Sequence, residues 1–306
     1  MKKIETILGC LDLTEIDPVV MRLASFMAES FRAERLLFLH AIQAYDLPDR
    51  ANKNFPDQVT IKSTIKKKLT QQICDNCAEE LNAEVEVVVE EEDSANAVFE
   101  YVSSHQVDLS LIGQKYGLDR EARYARKIAH GIDSDFILVS EESRPDITSI
   151  LCALDCSGES KTAFERAREL ALEIKARLIC YYLEDTTRSY FPATASQYIQ
   201  SRENKARKNY AAFLEQFGLT PEDIPCHFEA AARIDEQDGQ PAENMSRSIQ
   251  AVAESEESGL IVVGARGEVS SSTTLLGNVS ENFLRMEKTR PVMIIKNKKS
   301  KRFFRY

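Results

Sequence analysis

The sequence predicts an α/β protein made of two tandem doubly wound domains, each with a five-stranded parallel sheet. Three observations predict it. The chain repeats itself, short apolar runs alternate with amphipathic helical patterns through both copies, and those runs are apolar on both faces, as parallel strands require. The repeat is direct: Ile7-Leu8-Gly9-Cys10-Leu11-Asp12-Leu13-Thr14 returns as Ile150-Leu151-Cys152-Ala153-Leu154-Asp155-Cys156-Ser157. Each copy is an apolar run closed by an aspartate, with a hydroxyl residue two positions on.

The elements then follow in parallel. A helix comes after each first strand, its inner face marked by Val19, Leu23, Phe26/Met27 and Phe31 in one copy and by Phe164, Ala167, Ala171 and Ile174 in the other. The second strands are Leu36–Ile42 and Leu178–Leu183. A polar crossing segment and a second helix lead to the third strands, Val85–Val89 and Cys226–Glu229. Third helices at Ala95–Ser104 and Ala242–Ser255 precede fourth strands at Asp108–Gly113 and Gly259–Gly264. A fourth helix and a fifth strand, Phe136–Ser140 or Pro291–Lys296, close each copy. Right-handed crossovers make each half a doubly wound unit. Pro145 and a charged stretch interrupt the pattern near Glu141–Asp146, which gives domains 1–143 and 144–306.

Composition excludes several classes. With 306 residues, 43% hydrophobic and 29% charged, the chain has material for two cores and is not a mostly disordered polymer. It has no apolar run of the roughly 18 residues that a membrane span needs. Its basic start lacks the apolar stretch of a secretory signal, so the expected location is cytoplasmic. The net charge is −10, although Lys296–Tyr306 holds six basic residues and no acidic one. The rest of the chain is therefore strongly acidic and repels phosphate backbones and anionic lipid, which argues against nucleic-acid and membrane partners. The basic end reads as a solvated terminus.

The cysteines and histidines nominate no metal site. Cys10 and Cys152 sit in apolar runs as small hydrophobes. Cys74-Asp-Asn-Cys77 falls in a helical pattern with Ile73 and Leu81 and has no second pair for zinc. His40, His105 and His130 lack ligand spacing.

In an open parallel sheet, ligands bind at the carboxyl ends of the strands where strand order reverses. In the second copy those strands end at Asp155 and Gly264. The sequence continues Gly264-Ala-Arg266-Gly267, passes through Glu268 and the hydroxyl-rich Ser270–Thr274, and reaches Gly277-Asn278-Val279-Ser280-Glu281. Glycines let backbone approach a ligand, Asn278 reads as a helix N-cap with Glu281 three residues on, and Arg266 offers a guanidinium fork. The spacing Gly264-x2-Gly267-x9-Gly277 followed by a polar residue resembles the nucleotide loop of the universal stress protein family. The strand-ending Asp155, Gly239-Gln-Pro241-Ala-Glu243 opening the third helix and Arg290-Pro291-Val292 before the fifth strand agree with it.

The resemblance spans nearly the whole chain as two Rossmann-like copies, a tandem universal stress protein. It implies a stress-response regulator that binds ATP or another adenine nucleotide in the second half, with no catalytic residue. Asp155 and the backbone near Ala153 and Leu183 would hold base and ribose, with Val263 and Gly264 beneath the nucleoside. Arg266, Gly267, Gly277, Asn278, Val279 and Ser280 would hold the phosphates. Asn278 replaces the family's Ser/Thr and supplies no hydroxyl for magnesium. The family's fifth strands pair, which implies pairing of the two halves here and leaves a homodimer open. In the first half Glu121-Ala122 stands where Gly277-Asn278 should be, so no phosphate-bearing ligand is expected there. Its basic stretch, Lys115 to Lys127, reads as a solvated helix face.

Two rivals follow. A slow ATPase or self-phosphorylating protein would need a base, and only Asp155 and Glu268 are candidates. A purely structural adaptor would bind nothing. The absent Walker lysine argues against fast phosphoryl transfer, and the absent G-x-G-x-x-G against a dinucleotide dehydrogenase.

Overall fold

Among the described residues, strands and helices alternate except at the repeat junction, where one strand follows another directly. The structure, a computed structural model, describes residues 3–42, 58–78, 80–90, 94–114, 120–183, 196–229, 241–266, 276–286 and 289–296. The first half runs β1 (Thr6–Leu11), α1 (Asp17–Phe31), β2 (Arg35–Ala41), α2 (Gln58–Asn76), β3 (Glu84–Glu90), α3 (Ser94–Ser104), β4 (Leu109–Gly113), α4 (Arg120–Gly131) and β5 (Asp135–Val139). The second runs β6 (Ser149–Leu154), α5 (Gly158–Ile174), β7 (Arg177–Leu183), α6 (Ser196–Glu215), β8 (Cys226–Glu229), α7 (Pro241–Ser255), β9 (Leu260–Gly264), α8 (Asn278–Phe283) and β10 (Val292–Ile295). Contacts divide the chain into two units between Pro145 and Asp146.

Both halves have the same strand order, and every pairing within each half is parallel. The first sheet reads β3-β2-β1-β4-β5, with Ile7 opposite both Leu36 and Leu109. The second reads β8-β7-β6-β9-β10, with Ala153 opposite Tyr181 on one side and Val263 on the other. The order reverses at β1/β4 and at β6/β9, so each half has its crevice at the carboxyl ends of that pair. The central strands are sealed by both layers: Ile7, Leu8, Leu36, Phe38 and Leu111, and likewise Ile150, Leu151, Cys152, Val262 and Leu260, are all buried. Burying each such side chain is worth about 1.5–3 kcal/mol. In the second half Phe164 of α5 meets Phe213 of α6 edge-on, with ring centroids 5.3 Å apart, and buried Tyr210 donates its hydroxyl to Ile224 O at 2.9 Å.

The backbone repeats more closely than the sequence. Among the described residues, six non-glycine residues take positive φ, and they form three pairs at matching places: Leu13 with Cys156, Arg32 with Lys175, and Gln106 with Glu257. The first pair follows the strand-ending aspartate. The others end helices, where the next amide reaches back five residues: Ala33 N to Ala28 O and Ala176 N to Ala171 O, Val107 N to Val102 O and Ser258 N to Ala253 O. A left-handed side-chain-bearing residue costs about 1–2 kcal/mol. Retention of the same turns in both halves marks a duplicated fold.

One expectation is corrected. α2 ends at Asn76, so Leu81 is outside the helix that its spacing suggested. Cys77 N–H still bonds Ile73 O at 2.9 Å, but the following Ala78 N–H turns to Ser25 Oγ at 3.1 Å.

Candidate functional site

The second-half crevice is built from two strand ends. β6 delivers Ala153, whose register partner across the reversal is Val263 of β9. Asp155 follows directly and is half-buried, its Oδ1 accepting the Ser157 N–H at 3.0 Å. Cys156 between them is left-handed, with φ 57°, and its thiol is pushed up to about 12 by burial and then by the Asp155 charge. Both effects disfavour the thiolate, the reactive form of cysteine. Ser157 caps α5 by accepting the Ser160 N–H at 3.3 Å. Gly158, the first residue of α5, is exposed, and a side chain added there would meet no described atom within 4 Å. Leu183 ends β7 just past the paired Leu154 and Tyr182, which brings its backbone beside Asp155.

The other wall is a loop with joined ends. Ala265 N–H bonds Ile295 O at 2.8 Å, extending the β9–β10 ladder past Gly264. Gly277 N–H bonds Ala265 O at 2.6 Å, and the buried Ser280 hydroxyl donates to Gly264 O at 2.8 Å. Ser246 of α7 donates to Val279 O at 3.3 Å. These bonds hold the start of α8 against the end of β9.

Gly277, not Asn278, is the N-cap of α8, with φ −78°, ψ 167° and no side-chain cap. This corrects the expected Asx capping box: Asn278 is the first helical residue and is exposed. The first in-helix bond is Glu281 N–H to Gly277 O at 2.9 Å. The amides of Asn278, Val279 and Ser280 make up the first turn ahead of that bond, where helix N–H groups lack an intrahelical partner. At six residues α8 contributes little dipole, and the donors are the amides themselves.

Most nominated residues thus meet at one place: Ala153, Asp155, Leu183, Val263, Gly264, Gly277, Asn278, Val279 and Ser280. Arg266 is half-buried beside them. Gly267, Glu268, Ser270–Thr274 and Gly239 lie outside the described residues. The Ser280 hydroxyl proton is used on Gly264, an anchoring contact with no sequence signal beyond a small hydroxyl three residues past a glycine. Ser246 carried no signal at all.

The first-half crevice is different. Asp12 ends β1 as Asp155 ends β6, and its Oδ1 is hydrogen-bonded by the Thr14 hydroxyl. The Asp12 and Leu13 N–H groups both point to the Asp17 carboxylate, at 3.0 and 2.9 Å. Asp17 is fully buried, and burial followed by the Asp12 charge outweighs these hydrogen bonds and raises its pKa from 3.8 to about 7. His40 is buried with Nδ1 3.0 Å from Leu11 O, and His105 stacks on Tyr101 at 3.9 Å, both in structural settings. Among the described residues no group of three His, Cys, Asp or Glu side chains is arranged to hold a metal ion. No described helix is long and apolar enough to cross a membrane.

Fold and site together define a tandem of doubly wound α/β units, the second with the start of α8 tied to the end of β9 at the point of strand-order reversal. Residues 147–296 match the universal stress protein family, and this half of the chain belongs to it. The full length is similar in fold to several solved structures. One is a functionally unknown protein from Pseudomonas aeruginosa PAO1, 14% identical, covering 97% of this chain and 94% of that one at a TM-score of 0.63. Another is a putative universal stress protein from Pseudomonas aeruginosa UCBPP-PA14, 13% identical, covering 97% and 95% at 0.63. A universal stress protein from Archaeoglobus fulgidus DSM 4304 is 17% identical and covers 96% and 97% at 0.61. No curated protein sequence matches.

Proposed function

We propose that the second half binds an adenine nucleotide (ATP, ADP or AMP) in the crevice between Asp155 and the Gly264–Gly277 loop, and that the chain is a cytoplasmic stress-response regulator whose first half is structural. The reading rests on one observation: the loop ends are joined by the Gly277–Ala265 and Ser280–Gly264 bonds at the point where strand order reverses. Membership of residues 147–296 in the universal stress protein family supports it. Ala153, Asp155 and the Leu183 backbone take base and ribose, and Val263 and Gly264 lie beneath the nucleoside. Arg266, Gly267, Gly277 and the amides of Asn278, Val279 and Ser280 take the phosphates. Asn278 gives magnesium no hydroxyl ligand, so the phosphates are held by protein donors alone.

The nucleotide acts by population shift. It favours the binding-competent form of the second half and so changes which surface that half presents.

Calorimetric titration of the full chain with AMP and with ATP tests the reading. Binding lost in Gly277→Glu, with the wild-type circular dichroism spectrum retained, is the expected result. No binding by the wild-type chain, or undiminished affinity in Gly277→Glu, overturns it.

A further inference from the structure

The two crevices start from the same plan, and what fills the first comes from its own chain. In the second half the strand-ending Asp155 is followed by Cys156, the cap Ser157 and the exposed Gly158 with open space beside it. In the first half two more residues separate Asp12 from the helix. The position equivalent to Ser157 is Ile16, and that equivalent to Gly158 is Asp17. Ile16 is 1% exposed and Asp17 0%, so both have moved into the fold.

Their destinations are the two walls of the crevice. Ile16 lies on Gly113, the last residue of β4: a Cβ at Gly113 would stand 2.8 Å from Ile16 Cγ2, 3.5 Å from its Cδ1 and 3.6 Å from Val20 Cγ2. The Asp17 carboxylate takes the Asp12 and Leu13 amides at the end of β1. An apolar side chain therefore covers the end of β4, and a carboxyl group occupies the backbone donors at the end of β1.

We propose that Ile16 and Asp17 form an internal occupant of the first crevice, an apolar group and a hydrogen-bond-accepting carboxyl group that take the place of a ligand and restrict the chain to one nucleotide site. The Glu121 substitution at the lost phosphate turn is then a second exclusion, and restoring a glycine loop there would not restore binding. The one-site count rests on the proposed function of the second half. The filled crevice does not.

Two measurements on the full chain keep these apart. Equilibrium dialysis with AMP is expected to give one site for the wild-type chain and none for Gly277→Glu. Two sites, or one that survives Gly277→Glu, overturns the proposal. The second measurement needs no nucleotide. With Ile16 seated on Gly113, Gly113→Ala overpacks the site and lowers Tm by about 5 °C, and Ile16→Ala in the same chain removes most of that added cost. If AMP does not bind at all, the proposed function falls and this coupling alone decides the filled crevice. A Gly113→Ala Tm within 1 °C of wild type, or the same cost with and without Ile16, means an open crevice and overturns it.

Discussion

Ser280→Ala isolates the contact that closes the candidate nucleotide loop. The Ser280 hydroxyl is buried and donates to Gly264 O at 2.8 Å, tying α8 to the last residue of β9. Alanine keeps the helix and almost all of the packing but leaves a carbonyl in the interior short of one donor. Such a loss costs about 1–2 kcal/mol, between the net worth of a hydrogen bond and the full penalty of an unsatisfied group. For a unit of this size that is a fall of roughly 2–8 °C in its melting temperature. If the tie also holds the loop in its binding form, the same energy weakens AMP by roughly 5- to 30-fold. Differential scanning calorimetry and AMP titration measure the two effects on one preparation. A Tm within 1 °C and an affinity within twofold of wild type would refute the reasoning, because the loop would then be held by other contacts.

Three further outcomes follow. Asp17 holds its proton more tightly folded than unfolded, its pKa raised to about 7 from 3.8, so between those values the folded chain binds more protons. Its contribution to stability is greatest at low pH and falls as pH rises through that window; denaturant unfolding should show the wild-type chain gaining on Asp17→Asn as pH falls from 7 to 5. Lys175 is exposed with φ 57°, so Lys175→Gly relieves left-handed strain and should raise stability by about 0.5–1 kcal/mol, net of the added freedom of the unfolded chain. ATP affinity should change by less than twofold when magnesium is chelated, since Asn278 stands where a hydroxyl would be needed; a tenfold loss in chelator would show metal-assisted binding.

Much of the architecture was legible because it is periodic. Strand ends expected at Gly113, Leu183, Glu229 and Gly264 agree with the structure. The duplication showed in two matching apolar runs, and the strand-ending aspartates showed where each crevice lies. What escaped the sequence depends on distant partners. Asp17 looked like an ordinary acidic residue in the first turn of a helix before Pro18, and nothing local says that its carboxylate turns back to the Asp12 and Leu13 amides. Ile16 looked like another apolar residue until Gly113, far along the chain, came beneath it. Asn278 is a better N-cap residue than Gly277 by propensity. The bond from Gly277 N–H to Ala265 O decides otherwise, fixing Gly277 in extended backbone just ahead of the helix. Leu13 and Cys156 gave no hint of positive φ, because neither side chain favours it and the sharp exit from the strand imposes it.

The most direct test of the central claim is hydrogen–deuterium exchange of the full chain with and without saturating AMP. The account predicts slowed exchange at 153–157, 264–266 and 276–281, and no change at 12–17 or 109–114. Protection confined to the first half, or none at saturation anywhere in the second, would contradict it.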